Sequence, residues 1–365
     1  MEDLVVAETF RFPERSFWSG RNVLVTGHTG FKGTWLSFWL TRLGANVSGL
    51  SLAPINTPNL HDEIGLSALL THSFYLDIRD FDAVQAAVRA TQPDVVFHLA
   101  AQSLVLPSYA DPLTTFSTNV MGTANVIEAA RQSGSVRATV IVTTDKCYEN
   151  LESTHRYRED DRLGGHDPYS SSKACAELVA SCWRKSFDSS THRIATARAG
   201  NVIGAGDWSV NRLLPDCFRA FAADQPVSLR HPQAIRPWQH VLEPLNGYLL
   251  LAESLCSENG SDFASAWNFG PYETSEACVG DVAQMAATAW GPSATVECAD
   301  TLEALHEAGQ LRLDSERAHK ALHWAPQWAL AKAVLATTEG YLAHKKQESL
   351  LDLLSRQIDG YVTGK

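Results

Sequence analysis

From Asn22 onward the chain alternates short apolar runs with stretches whose apolar residues recur every three to four positions. "NVLVTG" (22–27) reads as a strand entering a glycine turn, and "GTWLSFWLTRLGA" (33–45) as a helix ending near Gly44. "NVSGLSL" (46–52) is the next strand, "YLDIRD" closes another short one, and "DFDAVQAAVRATQ" (80–92) is a helix that Asp80 can cap. "PDVVFHLAA" (93–101) predicts a strand, "PLTTFSTNVMGTANVIEAARQSG" (112–134) a long helix and "ATVIVTT" (138–144) a further strand. A helix over "DPYSSSKACAELVASCWRKSF" (167–187) and a strand and loop over "RIATARAGNVIG" (193–204) complete the regular part. Strand and helix alternating this evenly mean βαβ units, hence an α/β protein with a doubly wound parallel sheet covered on both faces.

After Gly204 the rhythm breaks into loop, helix and short strand, although "AWNFGP" (266–271) still looks like a late strand of the sheet. "TLEALHEAGQLRLDSERAHKALHWAPQW" (301–328) predicts short helices in a small cap. The division expected is one domain over 20–204 plus about 238–270, interleaved with a smaller one over about 205–237 and 271–350.

Composition narrows the class. A chain of 365 residues, 45% hydrophobic and 19% charged, has ample core for one large domain or roughly two smaller ones. A net charge of -11 argues against nucleic acid as a partner, because neutralising phosphates needs basic patches. Seven scattered cysteines form no Cys-x-x-Cys pair, no zinc spacing and no disulfide framework, so reduced thiols and no metal are expected. The opening "MEDLVVAETFRFPERSFW" lacks the basic start and apolar run of a signal peptide. No stretch reaches the ~18 uninterrupted apolar residues that span a bilayer. A cytoplasmic protein without membrane partners is the expectation.

Candidate chemistry lies at three places. "VTGHTGFKG" sets Gly27, Gly30 and Gly33 between a strand and a helix. The first allows a tight turn, the second lets backbone approach a pyrophosphate, and the third packs the helix start closely. Thr29, Phe31 and Lys32 complete this dinucleotide loop. A ribose-binding acid is expected about 20 residues on, but Ser51 stands there. Lys32 could reach a 2′-phosphate, or be a solvated surface residue; NAD is the cofactor preferred. Asp77 and Ile78 suit the adenine. "YSSSK" places Tyr169 and Lys173 on one helix face, where an ammonium lowers a phenol's pKa and makes it a base for a sugar hydroxyl. Finally, "VTTDKCYEN" puts Thr144, Asp145 and Lys146 at a strand's carboxyl end.

Together "VTGHTGFKG", "HLAAQS", "STNVMGT", "TTDKCY", "PYSSSK" and "ARAGNVIGAGDW" resemble the nucleotide-sugar branch of the extended short-chain dehydrogenase/reductase superfamily, over about Asn22 to Leu251. "TTDKCYENLE" with "YREDDRLGGHDPYSSSKACAEL" resembles its CDP-glucose 4,6-dehydratase family. The resemblance implies a Rossmann domain for NAD and a smaller C-terminal substrate domain. It further implies a homodimer, possibly a tetramer, paired through helices around 119–133 and 169–186. Tyr169 would be the base at the sugar O4, Lys173 its partner on the nicotinamide ribose, and Thr144 a hydrogen bond to O4. Asn119 would support the active-site backbone or a proton relay, and Ala100, Ala101, Gln102 and Ser103 would run along cofactor and sugar. Related dTDP-glucose dehydratases read Asp-Glu where this chain reads Asp145-Lys146. The implied roles are Asp145 protonating the departing C6 hydroxyl and Lys146 removing the C5 proton, which requires a protonated acid beside a neutral amine. As a bare pattern, the two could equally be a loop ion pair.

"QAIRPWQHVLEP" resembles the segment in which an arginine meets the substrate pyrophosphate, here Arg236, with Arg212 and Asn201 as companions. "PVSLR" (226–230) could offer a strand to the base, while Trp238 and His240 read as packing. Leu106 departs from the family, where an arginine is expected. The rival readings are a dehydratase of another nucleoside diphosphate glucose, a nucleotide-sugar 4-epimerase and a dinucleotide-sensing protein. An epimerase has no need of an acid and base at C5–C6, and a sensor none of an activated phenol.

Overall fold

The structure is a computed structural model and describes residues 10–187, 190–229, 231–298 and 310–364. Twelve strands form among the described residues: β1 (Asn22–Thr26), β2 (Asn46–Ser51), β3 (His72–Tyr75), β4 (Val95–His98), β5 (Ala138–Val142), β6 (Arg193–Ala199), β7 (Asn201–Ile203), β8 (Val227–Leu229), β9 (Ile235–His240), β10 (Ala266–Phe269), β11 (Glu276–Cys278) and β12 (Val296–Cys298). The main sheet has seven parallel strands in the order β10-β6-β5-β4-β1-β2-β3. Strand order reverses between β1 and β4, so the carboxyl ends of these strands open the crevice where ligands of such sheets bind.

Both faces of the sheet are covered, and residues alternate between them. Val23, Val25, Val95 and Phe97 face one core with Trp35 and Trp39 of helix Phe31–Arg42 and Leu245 and Leu249 of helix Leu242–Leu255. Leu24 and Val96 face the other with Val84, Val88, Val126 and Ala130 of helices Phe81–Thr91 and Gly122–Ser133. Asp80 caps the first of these two helices, accepting from Ala83 N at 3.1 Å. A separate core forms beneath the carboxyl edge of the sheet. There Leu214, Phe218, Trp238, Val282, Ala286 and Tyr341 gather strands β8 and β9 with helices Leu213–Ala222, Val279–Trp290 and Leu330–Lys345.

Three expectations change. The strand expected over 138–144 stops at Val142; just beyond it Thr143 N still donates to Ala197 O at 2.9 Å, while the Thr143 hydroxyl donates to buried Glu177. The helix expected over 112–134 is interrupted by a π turn, Ser117–Met121, between Pro112–Phe116 and Gly122–Ser133. Of the expected cap, residues 301–309 lie outside the described residues, as does Arg230 of "PVSLR". Its remainder joins the main core instead: Ala318 and Leu322 of helix Glu316–Leu322 pack there with Trp324. No helix among the described residues is long and apolar enough to cross a membrane.

Candidate active site

A cleft of about 1230 Å³ runs from the β1 turn across the sheet's carboxyl edge to the second core. It is lined by every candidate residue except buried Asn119, which stands just behind it. At one end, Gly27 adopts φ +79°, and a Cβ there would lie 2.7 Å from Ala100 N. A Cβ on Gly33 would lie 2.0 Å from Gly27 O, so the helix start can sit this close only as glycine. Gly30, by contrast, precedes the helix with its face open to a ligand: the nearest protein atom to a Cβ there would be Gly27 O, at 3.4 Å. The Thr29 hydroxyl meets Ser51 Oγ at 2.7 Å and Leu52 O at 3.0 Å, which fixes the end of β2 against the loop.

Other members of the cofactor set fall into place. Asp77 and Ile78 line the cleft, and the Asp77 carboxylate is already held by Arg79 Nε and Nη2 at 2.9 and 2.6 Å. Lys32 lines the cleft with Ser51; burial pulls its ammonium down to about 7, with Arg212 and Lys173 lowering it further and Asp145 and Asp207 opposing them.

The centre of the cleft is the short turn Asp145–Cys147 that follows β5. Thr144 caps it, its Oγ1 accepting from Lys146 N at 3.3 Å and donating to Asp145 Oδ1 at 3.0 Å. The carboxylate is only 1% exposed, and its second oxygen, Oδ2, is buried without a hydrogen-bond partner against Gly200. Among the described residues no ion pair joins Asp145 to Lys146; the two side chains face the cleft separately. An acid and an amine delivered side by side, neither neutralising the other, can act on two different atoms of one ligand.

Tyr169 and Lys173 lie in the first two turns of helix Pro168–Ser186, which Asp167 caps through Ser170 N at 2.9 Å. The expected lowering of the phenol by Lys173 is not what this arrangement gives. Burial pushes Tyr169 up to about 12, against the lowering effects of a hydrogen bond with the Thr144 side chain and of Arg212. Lys173 Nζ instead donates to Val142 O at 2.8 Å, and burial pulls the ammonium down to about 8. Behind the pair, the Asn119 amide accepts from Gln102 N at 2.8 Å and donates to Gln102 O and to Ser172 Oγ at 2.9 and 2.8 Å. The π turn aims this side chain at both segments, as such turns often do at functional sites.

Gln102 departs from its expected substrate role. Its side chain is spent on its own loop, bonded to Leu104 N, Leu104 O and Thr115 Oγ1. Exposed Ser103 and half-buried Leu106 do line the cleft, and with Val105 and Pro107 they make this wall largely apolar. On the far side Arg236, on β9, and Asn201, on β7, line the cleft from one small sheet. Arg212 arrives from the preceding loop, held by Asp207 at 2.8 Å. Trp238 and His240 are buried in packing: Trp238 Nε1 donates to Ala277 O, and the His240 ring lies between Trp35 and Trp328.

Some residues that shape the site carry no local signature. His28 is wholly buried beneath the loop, bonded to Ser73 Oγ at 2.9 Å, and burial pulls it down to about 4. Glu177 accepts from Thr143 and Thr196 hydroxyls and pairs with Arg198 at 2.8 Å; Arg198 also reaches the Tyr148 hydroxyl at 2.7 Å. This pair grips residues just before and just after the catalytic-looking turn. Over the cleft, Glu63 accepts from Trp208 Nε1 at 3.2 Å and pairs with His344. Only proximity in the fold reveals these three groups. No cluster of His, Cys, Asp and Glu suited to a metal occurs among the described residues.

Comparison with known proteins bears on this geometry. A model of the family described as GDP-mannose 4,6 dehydratase matches residues 24–337. The CDP-glucose 4,6-dehydratase of Salmonella typhimurium is 44% identical over 356 residues, covering 96% of this chain and 98% of that protein. Among solved structures, an epimerase from Methanothermobacter thermautotrophicus superposes with a TM-score of 0.76 at 22% identity, covering 91% of this chain and 95% of that one. The dTDP-glucose 4,6-dehydratase DesIV from Streptomyces venezuelae does so with a TM-score of 0.74 at 22% identity, covering 90% and 99%. At such identity these structures establish the shared fold.

Proposed function

Because the chain belongs to the GDP-mannose 4,6 dehydratase family, we propose that it converts CDP-D-glucose to CDP-4-keto-6-deoxy-D-glucose and water, as an NAD-dependent lyase. The observation that carries this reading is the Asp145-Lys146 pair, unneutralised by each other and lining the same cleft as Thr144 and Tyr169. The choice of CDP-glucose rests on the relative from Salmonella typhimurium.

The loop fits NAD: Gly27 and Gly33 admit no side chain, Gly30 leaves room, and Ser51 stands beside Thr29 at the end of β2. When bound, NAD supplies the acceptor for the hydride of C4 and returns it to C6. The residues of the chain do the rest. Tyr169 takes the O4 proton, Thr144 holds O4, and Lys173 orients the cofactor's ribose. The ketone at C4 acidifies the C5 proton, which Lys146 removes as Asp145 protonates the departing C6 hydroxyl. Arg236, Arg212 and Asn201 meet the pyrophosphate, where an arginine fork bonds in bidentate fashion. The cofactor lies with the seven-stranded sheet, and the nucleotide sugar lies against the second core. Exposed Met121 and Leu178, on the two helices expected to pair, support a homodimer.

The test is incubation of the purified protein with a panel of nucleoside diphosphate glucoses and no added cofactor. Base treatment then reveals 4-keto-6-deoxy sugars by their ultraviolet absorbance. Keto sugar from CDP-glucose is the expected result. Product from another nucleotide alone would overturn the specificity, and a 4-epimer would make the enzyme an isomerase.

A further inference from the structure

The phenol of Tyr169 is aimed by the backbone that carries it, and that backbone is held from outside its helix. Asp167 caps helix Pro168–Ser186, taking Ser170 N on its side chain and Ser171 N on its carbonyl, each at 2.9 Å. Pro168 has no N–H to satisfy. The amide of Tyr169 is left over, since a first-turn N–H has no partner within its own helix. It donates at 3.1 Å to the hydroxyl of Ser108, 61 positions earlier in the chain. That hydroxyl donates its one proton to Val105 O at 2.6 Å, so toward Tyr169 it can only accept.

The carbonyl of Tyr169 is held as well. It accepts from Ser172 Oγ at 2.7 Å, and Ser172 Oγ accepts from the Asn119 amide at 2.8 Å. Asn119 also grips the backbone of Gln102, whose side chain bonds Leu104 N and O. Helix Val105–Ala110 begins just after Leu104, with Val105, Leu106 and Pro107 in the wall of the cleft, and Ser108 closes the ring. Ser108 and Ser172 are 0% and Asn119 1% exposed, so bulk solvent does not reach these bonds. The base and the wall that a ligand meets are thereby one hydrogen-bonded frame.

We propose that Ser108 is a positioning residue for the base: from the wall of the cleft it holds the Tyr169 amide and so sets where the phenol stands against the ligand's hydroxyl. Ser108 itself does not line the cleft. Without its hydroxyl the Tyr169 amide is buried and unbonded, and the first turn of the helix must shift to reach another acceptor. The phenol shifts with it, whereas Arg236, Arg212 and Asn201 stand on other elements and stay in place. Binding is then kept, while transfer of the O4 proton, and with it the hydride transfer from C4, is slowed. This inference rests on Tyr169 being the base of the dehydratase reading.

Steady-state turnover by the wild type and by Ser108→Ala tests it, with rates expressed per bound NAD. The substrate is CDP-glucose, or whichever nucleoside diphosphate glucose the panel shows to react, unlabelled and deuterated at C4. The variant should lose about a hundredfold in kcat, the scale of a roughly 1 Å misplacement, with KM little changed. Its turnover should slow further when C4 carries deuterium, because oxidation has become the slow step. Misfolding of part of the protein lowers the amount of bound NAD, not the rate per bound NAD, and brings in no isotope dependence. Ser108→Cys, whose sulfur is a weak acceptor, serves if the alanine variant does not fold, with the same loss expected. A variant that keeps its kcat, whose loss lies chiefly in KM, or that is indifferent to deuterium would overturn the positioning role. A wild type that forms a 4-epimer, with this variant pattern, overturns the dehydratase reading and leaves the role of Ser108 standing. Keto sugar from the wild type with the wrong variant pattern overturns the role of Ser108 alone. A wild type that converts no nucleotide sugar overturns both.

Discussion

Glu177→Gln tests the buried support of the site. Glu177 is 2% and Arg198 3% exposed, and their 2.8 Å pair is surrounded by protein. The substitution keeps the size of the side chain and its acceptor oxygen but leaves the guanidinium buried without a counter-charge. Breaking a buried pair in this way costs roughly 3–5 kcal/mol, a large share of the ~5–15 kcal/mol that holds a typical fold together. Arg198→Met added to Glu177→Gln removes the stranded charge and should recover roughly 1–3 kcal/mol of coupling between the two sites. Urea unfolding followed by tryptophan fluorescence measures each corner of this cycle. Glu177 also carries a pH signature. Burial raises its carboxyl, but Arg198 and the hydroxyls of Thr143 and Thr196 outweigh that and hold it below its usual value. Its contribution is therefore present above the ordinary carboxylate range and lost as pH falls through the lower native value, a limb that Glu177→Gln should lack. Because Thr143 hangs from this carboxylate, kcat should fall more than KM changes. A loss below about 1 kcal/mol, the scale of a solvent-exposed pair, would refute the argument, as would a double variant whose cost is the sum of the singles.

Further outcomes are expected elsewhere in the molecule. Lys146→Ala should stop the reaction after C4 oxidation and leave reduced nicotinamide on the protein, seen by its fluorescence; an unchanged rate would remove Lys146 from the C5 position. Gly33→Ala places a Cβ 2.0 Å from Gly27 O and should abolish NAD retention, measured on the purified protein, while the unfolding midpoint shows whether the fold survives. Burial raises Glu253 to about 7 from an ordinary carboxylate value, so the native state holds a proton that the unfolded chain has released. Stability from this group falls as pH rises toward 7, and Glu253→Gln should flatten that part of the melting profile. Leu178→Glu, on an exposed helical face, should leave a monomer in analytical ultracentrifugation if the two expected helices pair.

What can be read along the chain is local chemistry. Gly27, Gly30 and Gly33 declare their turn through spacing set between a strand and a helix, and Tyr169 and Lys173 share a face by the period of one helix. Contacts between distant elements are invisible at that level. Glu177 and Arg198 are 21 positions apart on a helix and a strand, and neither belongs to a motif with a stated partner. Tyr169 differs from expectation for a related reason. Helical spacing puts Lys173 beside it, but the Val142 carbonyl competes for the amine, and burial then dominates the phenol. Strand β5 ends at Val142, and nothing local in "ATVIVTT" announces that the Thr143 hydroxyl is taken by Glu177.

The π turn at Ser117–Met121 makes this stretch intolerant of changes in length. A helix turns by about 100° per residue, so the extra residue accommodated here sets the angular phase between Pro112–Phe116 and Gly122–Ser133. Deleting one residue would relax the turn to a regular helix and rotate one half against the other. Either Thr115 would lose Gln102, or Val126 and Ala130 would leave the core they share with β1 and β4. Asn119 would lose its double grip on Gln102 and its hold on Ser172 in the same step. Point substitutions can be absorbed in this helix, whereas insertions and deletions would be transmitted to both walls of the cleft at once.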